Sequence, residues 1–214
     1  YDSLNYLCEK YNVLLIEDSA ESLGSEYKGT KLGSFGEIGI FSFNGNKIIT
    51  TSGGGILISD NENYTNKARF LSTQARENVV HYEHKELGYN YRMSNLLAAV
   101  GCAQLINLNS FVNKRRKIFN RYYQELSTIS GFDFLSEPDY CKSNRWLTTL
   151  TIDKSKTGFD CNKIIKKLND ENIESRPLWK PMHLQPFYKK YEYVTNNNDI
   201  SAELFNTGLC LPSG

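Results

Sequence analysis

The feature that most restricts the fold is an unbroken apolar run, VLLIED at residues 13–18, which ends in acidic residues. Such a run is typical of a strand in a sheet that is covered on both faces. Two similar runs, GIFSFN and GILISD, lie on either side of Lys47, and residues 62–77 carry apolar side chains at helical spacing. This alternation predicts an α/β fold with a mostly parallel sheet flanked by helices.

Further elements are indicated along the rest of the chain. Ser94 is a plausible N-cap for the helical run NLLAAVGCAQLINL, and a second helix is predicted over residues 112–129. From Gly131 onward the pattern changes to a strand, WLTTLTI, a helix that begins near Asp160, and a proline-rich segment. We therefore predict that residues 1–130 belong to a large α/β domain and that residues 131–214 form a smaller C-terminal α+β domain.

Composition excludes several classes of function. The 214 residues contain 25 Lys and Arg against 24 Asp and Glu, so the formal charge of +1 gives no field that would recruit nucleic acid or a membrane surface. No apolar run is long enough to span a bilayer. The five cysteines are scattered and form no C-x-x-C pair, which favours a reducing, cytoplasmic location over a disulfide framework. The abrupt ends of the sequence suggest an excerpt of a longer protein.

The residues that could carry chemistry follow the predicted strands. Ligands of open parallel sheets bind beyond the carboxyl ends of the strands, so Asp18 and Lys47 are expected to face one crevice. An acid and a lysine in this arrangement suit pyridoxal phosphate: the lysine holds the cofactor covalently and the carboxylate keeps its pyridine nitrogen protonated. Ser42 could bind the phosphate, and the glycines at 53–55 allow a close turn after the lysine.

Simpler interpretations of the same residues remain open at this point. An aspartate at the end of a strand is often a helix N-cap or a surface charge, and a lysine in a turn is usually solvated. Ser42 alone carries no functional information. The combination and order of these residues favour the cofactor site.

Three segments together resemble a known family. They are IEDSAESLGSEYKGTKLGSFGEIGIFSFNGNKIITTSGGGILISD, LGYNYRMSNLLAAVGCAQL and RPLWKPMH. They resemble the DegT-type (DegT/DnrJ/StrS) sugar aminotransferases, and the resemblance extends from about Val13 to Gly214. It implies an aspartate-aminotransferase-like fold of pyridoxal-phosphate fold type I, with the N-terminal part of the family absent from this chain.

The resemblance also implies residue roles. Lys47 matches the lysine that forms a Schiff base with pyridoxal 5′-phosphate, Asp18 the acid on the pyridine nitrogen, and Ser42 the phosphate-binding serine. Asn90 matches a residue that reaches the cofactor phosphate of the partner subunit, which implies a homodimer with shared active sites. Where many members have Gln or His, this chain has Glu21, so the contact that Glu21 makes with cofactor or substrate stays open.

The role of Arg92 is also open, since a structural role is as plausible as a ligand role. The presence of Lys47 favours transamination over the dehydration chemistry of relatives that carry histidine at this position. By analogy with the family, glutamate donates the amino group to a nucleotide-linked ketosugar. The branch that aminates C4 of UDP-linked N-acetylated 4-keto-6-deoxyhexoses for bacterial surface glycans resembles this sequence most.

The segment RPLWKPMH adds candidate substrate contacts. Arg176, Lys180 and His183 could bind an anionic diphosphate, and Trp179 could stack on a base or sugar. The alternative is a proline-rich loop whose aromatic residue packs internally.

Other candidates are weaker. His81 and His84 form an H-x-x-H without a third ligand at a recognised spacing, so no metal site is expected. A catalytically silent relative that binds sugar nucleotides or regulates is the competing functional hypothesis. The presence of Lys47 together with Asp18 distinguishes the enzyme, because a silent relative would be free to lose both.

Overall fold

The computed structural model describes residues 1–196 and 198–214, which form two compact units. Unit 1 comprises Tyr1–Asn113 and Glu137–Trp146, and unit 2 comprises Lys114–Ser136 and Leu147–Gly214. The division into domains at about residue 131 stays a prediction. Each unit has its own sheets and is described by itself.

The regular elements are helices and short strands. In chain order they are α1 Asp2–Tyr11, β1 Ile16–Asp18, β2 Glu26–Tyr27, β3 Thr30–Lys31, β4 Ile38–Ser42, β5 Gly55–Ile58, α2 Glu62–Ser72, α3 Asn95–Ile106, α4 Leu108–Leu126, β6 Phe132–Phe134, β7 Cys141–Lys142, β8 Thr148–Ile152, α5 Lys154–Thr157, α6 Cys161–Asp170, β9 Arg176–Pro177, α7 Ile200–Thr207 and β10 Gly208–Leu211. Two 3₁₀ helices, Met182–Leu184 and Pro186–Tyr188, precede α7.

The main sheet of unit 1 has the strand order β1-β4-β5. Strands β1 and β4 are parallel, whereas β5 returns antiparallel to β4. A second sheet joins β2 to β3 and to β7. The segment 137–146 thus belongs to unit 1 through β7.

The first strand, β1, has one exposed and one buried face in this chain. Ile16 is 58% exposed, while Glu17 is only 5% exposed. The carboxylate of Glu17 can be buried because it accepts hydrogen bonds from three backbone N–H groups, those of Gly33, Phe35 and Gly36, at 2.9, 2.5 and 2.7 Å. Burial, together with the Glu17 carboxylate beside it, raises the pKa of Tyr1 to about 12.

One predicted helix start is confirmed, and one helix ends earlier than predicted. Ser94 is the N-cap of α3 and its hydroxyl accepts from the Leu97 N–H, as predicted. Helix α2 ends at Ser72, before the predicted end at residue 77, because Gln74 and Ala75 adopt positive φ angles of 68° and 47°.

Among the residues described, no single helix is long and apolar enough to cross a bilayer. The helices α3 and α4, which meet at a bend of 64°, reach the length and apolar composition of a span only when they are counted together.

Unit 2 is built around a four-stranded sheet with the order β6-β8-β10-β9, in which every pair is antiparallel. Its core contains Leu150 and Ile152 of β8, Cys161 of α6, and Leu209 and Leu211 of β10. Asp160 is the N-cap of α6 and accepts from the Lys163 N–H, which confirms that local prediction.

Candidate active site

The first feature of the site is the open face of the β1–β4 sheet. Asp18 is opposite Ile40 in the parallel register, and Ser42 follows Ile40 by two residues. Because side chains alternate along a strand, Asp18, Ile40 and Ser42 project from the same face. Asp18 and Ile40 are exposed on this face, whereas Phe41 on the other face is buried. An acid and a hydroxyl therefore share one side of the sheet near its carboxyl edge.

Lys47 lies in the loop that leaves this edge after β4. Its Nζ is 3.0 Å from Oε1 of Glu21, in the loop that leaves β1. The same Nζ lies 4.2 Å from the ring centroid of Trp146. The Lys47 side chain is only 12% exposed, so the ammonium is held between a carboxylate and an aromatic face. The loops after β1 and β4 thus meet at Lys47.

The loop that carries Lys47 is closed at its base by main-chain and side-chain hydrogen bonds. The Thr51 N–H donates to Phe43 O at 2.9 Å. Gln104 of α3 accepts from the Thr50 N–H at 3.0 Å and donates to Thr50 O at 2.7 Å, as a neighbouring strand would. Gly54 adopts φ +94°, and an added Cβ there would lie 2.8 Å from Met93. These contacts fix the loop around the lysine.

The segment before β8 supplies residues that sequence reasoning missed. The side-chain amide of Asn144 donates to the backbone oxygens of Glu21 and Leu23, at 2.9 and 3.0 Å. The Trp146 indole N–H donates to Asn46 O, adjacent to Lys47, at 2.5 Å. Trp146 belongs to unit 1, whereas the strand residues that follow it belong to unit 2. No signal in the linear spacing pairs residues that are 100 positions apart.

Ser42 is placed where its hydroxyl can bind an anion. Its Oγ accepts a long hydrogen bond of 3.4 Å from the Asn44 N–H, which leaves the hydroxyl hydrogen for another acceptor. Asp18 Oδ1 accepts from the Ala20 N–H at 3.2 Å, so this carboxylate does orient the following turn. Since Ala20 lies in a turn, the N-cap alternative for Asp18 does not apply.

Asn90 and Arg92 lie in an exposed segment elsewhere in unit 1. Asn90 forms an isolated antiparallel bridge with Thr73, just after α2. It lines a shallow cavity of 570 Å³ together with residues 73, 74 and 76–79. The rings of Tyr89 and Tyr91, on either side of Asn90, stack at 5.1 Å. The proposed reach of Asn90 to a partner subunit stays a prediction.

The predicted substrate residues belong to unit 2. Arg176 of β9 is exposed and forms an ion pair with Glu174, and Trp179 and Lys180 are also exposed. His183 is more enclosed: its Nε2 lies 2.7 Å from Asp199 Oδ2, and its ring stacks on Tyr193 at 3.7 Å.

Asp199 is the N-cap of α7. The Ala202 N–H, followed by the bonds from His183, Ser201 and Tyr193, lowers the pKa of Asp199 to about 2. Among the predicted substrate residues, His183 is therefore held in a defined position by its neighbours.

The two histidines of the H-x-x-H motif have separate partners. His81 Nε2 lies 3.2 Å from Glu83, and His84 Nδ1 lies 2.8 Å from Gln74 O. Within residues 1–196 and 198–214, no group of three or more His, Cys, Asp or Glu residues is arranged to hold a metal ion.

Solved structures establish the class of fold that carries this site. The aminotransferase TlmJ from Streptoalloteichus hindustanus superposes with a TM-score of 0.85 at 29% identity, over 97% of this chain and 55% of that one. The predicted α/β fold class of the pyridoxal-phosphate aminotransferases is confirmed by this likeness.

Sequence comparison then gives the family. The profile of the DegT/DnrJ/EryC1/StrS aminotransferase family matches residues 1–214, and the chain belongs to that family. The predicted family resemblance is thereby confirmed.

Three curated relatives illustrate the range within the family. EpsN of Bacillus subtilis strain 168, named as a pyridoxal phosphate-dependent aminotransferase, is 53% identical over 100% of this chain and 55% of its own length. A GDP-perosamine synthase of Caulobacter vibrioides is 33% identical over 99% of this chain and 57% of its length. A UDP-4-amino-4,6-dideoxy-N-acetyl-beta-L-altrosamine transaminase of Campylobacter jejuni is 35% identical over 88% of this chain and 50% of its length. The chain spans about half the length of these relatives.

Proposed function

We propose that the protein is a pyridoxal-phosphate-dependent aminotransferase that moves an amino group from glutamate to the keto carbon of a nucleotide-linked 4-keto-6-deoxy sugar. The observation that carries this proposal is the nearly enclosed Lys47 ammonium at the junction of the loops after β1 and β4. Asp18 and Ser42 share one face of the adjoining sheet. Membership of an aminotransferase family supports the same chemistry.

The residues present fit the proposed cofactor. Pyridoxal phosphate needs an amine for its aldehyde, an anion for its pyridinium nitrogen, and hydrogen-bond donors for its phosphate. Lys47, Asp18 and Ser42 offer these three groups from two adjacent strand ends. The face that carries Asp18 is open, so a planar ring could lie against it.

The chain's own residues have distinct roles in this proposal. When bound, the cofactor supplies an electron sink for the carbon that loses a proton. Lys47 Nζ would hold the cofactor until the amino donor arrives. The freed amine would then take the proton from the donor's α-carbon, and in the second half it would deliver a proton to the sugar carbon that receives the amino group. The Asp18 carboxylate keeps a positive charge on the ring nitrogen. Gln104 ties the loop after β4 to α3, and Asn144 ties the loop after β1 to the segment before β8.

We propose that the nucleotide is UDP. Relatives named for UDP-linked sugars and relatives named for GDP-linked sugars are both similar to this chain. The Campylobacter jejuni relative carries a UDP-linked sugar in its name, and the Caulobacter vibrioides relative a GDP-linked one. Arg176, Trp179, Lys180 and His183 are the proposed contacts to the diphosphate and to the base or sugar. We further propose a cytoplasmic homodimer with shared sites that serves bacterial surface glycan biosynthesis.

The proposal is tested with the full-length protein and added pyridoxal phosphate. The protein should acquire a visible absorbance band, and borohydride should abolish the band and link the cofactor irreversibly to the peptide that contains Lys47. Lys67→Ala is the matched control, because Lys67 also pairs with a carboxylate, Glu86, and faces a ring. A colourless protein without linkage at Lys47 would contradict the proposal and favour a silent sugar-nucleotide binding protein.

A further inference from the structure

Two groups, the Glu21 carboxylate and the Trp146 ring, enclose the Lys47 ammonium. Glu21 provides a carboxylate oxygen 3.0 Å from Nζ, and Trp146 provides a ring whose centroid is 4.2 Å away. Both distances are short enough for attraction to a positive charge. Neither contact resembles the free, solvated end of an ordinary surface lysine.

Trp146 is fixed in place by its own hydrogen bonds. Trp146 is only 7% exposed, and its indole N–H donates to Asn46 O. Its backbone N–H donates to Asn144 Oδ1 at 3.0 Å. The ring is therefore tied to the main chain of the residue next to Lys47.

The second group is held by the same segment. Asn144 donates through its side-chain amide to Glu21 O, and its backbone N–H donates to Ser25 Oγ at 2.9 Å. Asn144 is 3% exposed. The side chain of Glu21 is about half exposed, but its backbone is fixed by this buried amide. One segment, residues 144–146, thus positions both partners of the ammonium.

We propose that Trp146 and Glu21 form a resting position for Lys47, in which its amine is held as an ammonium whenever it is not joined to the cofactor. This inference rests on the proposed function and assigns Trp146 as a positioning residue and Glu21 as the counterion of the released amine. In each half of the transfer, Lys47 Nζ must leave the cofactor, carry a proton and return to the same ring. A fixed aromatic face and a carboxylate stabilise the charged amine close to the reacting atoms.

The arrangement also explains why a carboxylate is suitable at position 21. An acidic side chain adds attraction for the charged lysine that an amide could not provide. When the amine is joined to the cofactor, Glu21 is free to face the solvent, to which it is already half exposed. The side chain can therefore alternate between two environments without being buried as an unpaired charge.

The resting position is tested in the cofactor-free, full-length protein, so that the result does not depend on turnover. The protein is treated briefly with an amine-acylating reagent, and labelling at the Lys47 and Lys67 peptides is measured by mass spectrometry. Only a neutral, accessible amine reacts. Lys67 serves as the internal reference because it has a carboxylate partner and a ring at 5.4 Å, yet its side chain is 50% exposed.

The expected results are specific for each variant. Trp146→Leu should raise the ratio of Lys47 to Lys67 labelling by about fivefold, whereas Trp146→Phe, which keeps an aromatic face, should raise it by less. Glu21→Gln should raise the ratio as well. In turnover assays of the same variants, kcat should fall while KM for the ketosugar stays unchanged.

Unchanged labelling ratios in both Trp146→Leu and Glu21→Gln would overturn the inference. If Trp146→Leu does not fold, the comparison of Trp146→Phe and Glu21→Gln with the parent decides the question in the same way. Borohydride linkage at Lys47 is measured separately on the parent protein. Its absence would refute the proposed function, whereas altered labelling ratios alone would still report the resting position.

Discussion

The hydrogen bonds between Gln104 and Thr50 lead to a prediction about the loop that carries Lys47. Gln104 makes two hydrogen bonds to the main chain of Thr50, one in each direction. A typical hydrogen bond contributes a net ~1 kcal/mol, so Gln104→Ala should destabilise the closed loop by about 2 kcal/mol. If the loop opens locally, this change corresponds to about 30-fold faster exchange of its protected amides.

Hydrogen–deuterium exchange of the full-length protein measures this effect directly. The peptide that contains Thr50 and Thr51 should exchange faster in Gln104→Ala, and the variant should release pyridoxal phosphate more readily. Gln104→Glu should show the same direction, because a carboxylate cannot donate to Thr50 O. Gln124→Ala is the matched control, since Gln124 is an exposed glutamine of α4. Parental exchange rates around Thr50 in Gln104→Ala would refute the assigned role of the amide.

Three further predictions concern single side chains. Asp18→Asn should keep the shape of the site but lower turnover by about tenfold or more, because the pyridine nitrogen loses its anionic partner; steady-state rates at saturating cofactor test this. Mixed dimers with Asn90→Ala on one chain and Lys47→Ala on the other should show whether sites are shared, and full activity in an Asn90→Ala homodimer would remove that claim. The lowered pKa of Asp199 means that its contribution to stability is present above about pH 3.8 and is lost as the pH falls toward about 2. Hydrogen exchange of α7 should follow that loss, whereas Asp199→Asn should show no such transition.

The helix starts could be predicted, because a helix start depends on residues that are neighbours in the sequence. Ser94 and Asp160 were identified as helix starts because a cap needs only a side-chain oxygen and an N–H two or three positions later. The early end of α2 was not predicted, since nothing in the residue types of Gln74 and Ala75 requires a positive φ. The apolar spacing over residues 62–77 continues past the helix, and Ala75 is fully buried in the turn that follows.

The candidate site was predicted only in part for a similar reason. The order of Asp18, Ser42 and Lys47 follows from strand ends and can be found in the sequence. The contacts of Trp146, Asn144 and Gln104 with that region join distant parts of the chain, so no spacing rule leads to them. The burial of Glu17 was missed because its partners are backbone N–H groups, which every sequence contains.

Transfer of labelled nitrogen tests the central claim most directly. The full-length protein is incubated with pyridoxal phosphate, ¹⁵N-labelled glutamate and a UDP-linked 4-keto-6-deoxy sugar, and the sugar product is analysed by mass spectrometry. We expect ¹⁵N in the sugar with the parent protein and none with Lys47→Ala. Equal labelling by the parent and by Lys47→Ala would contradict the account.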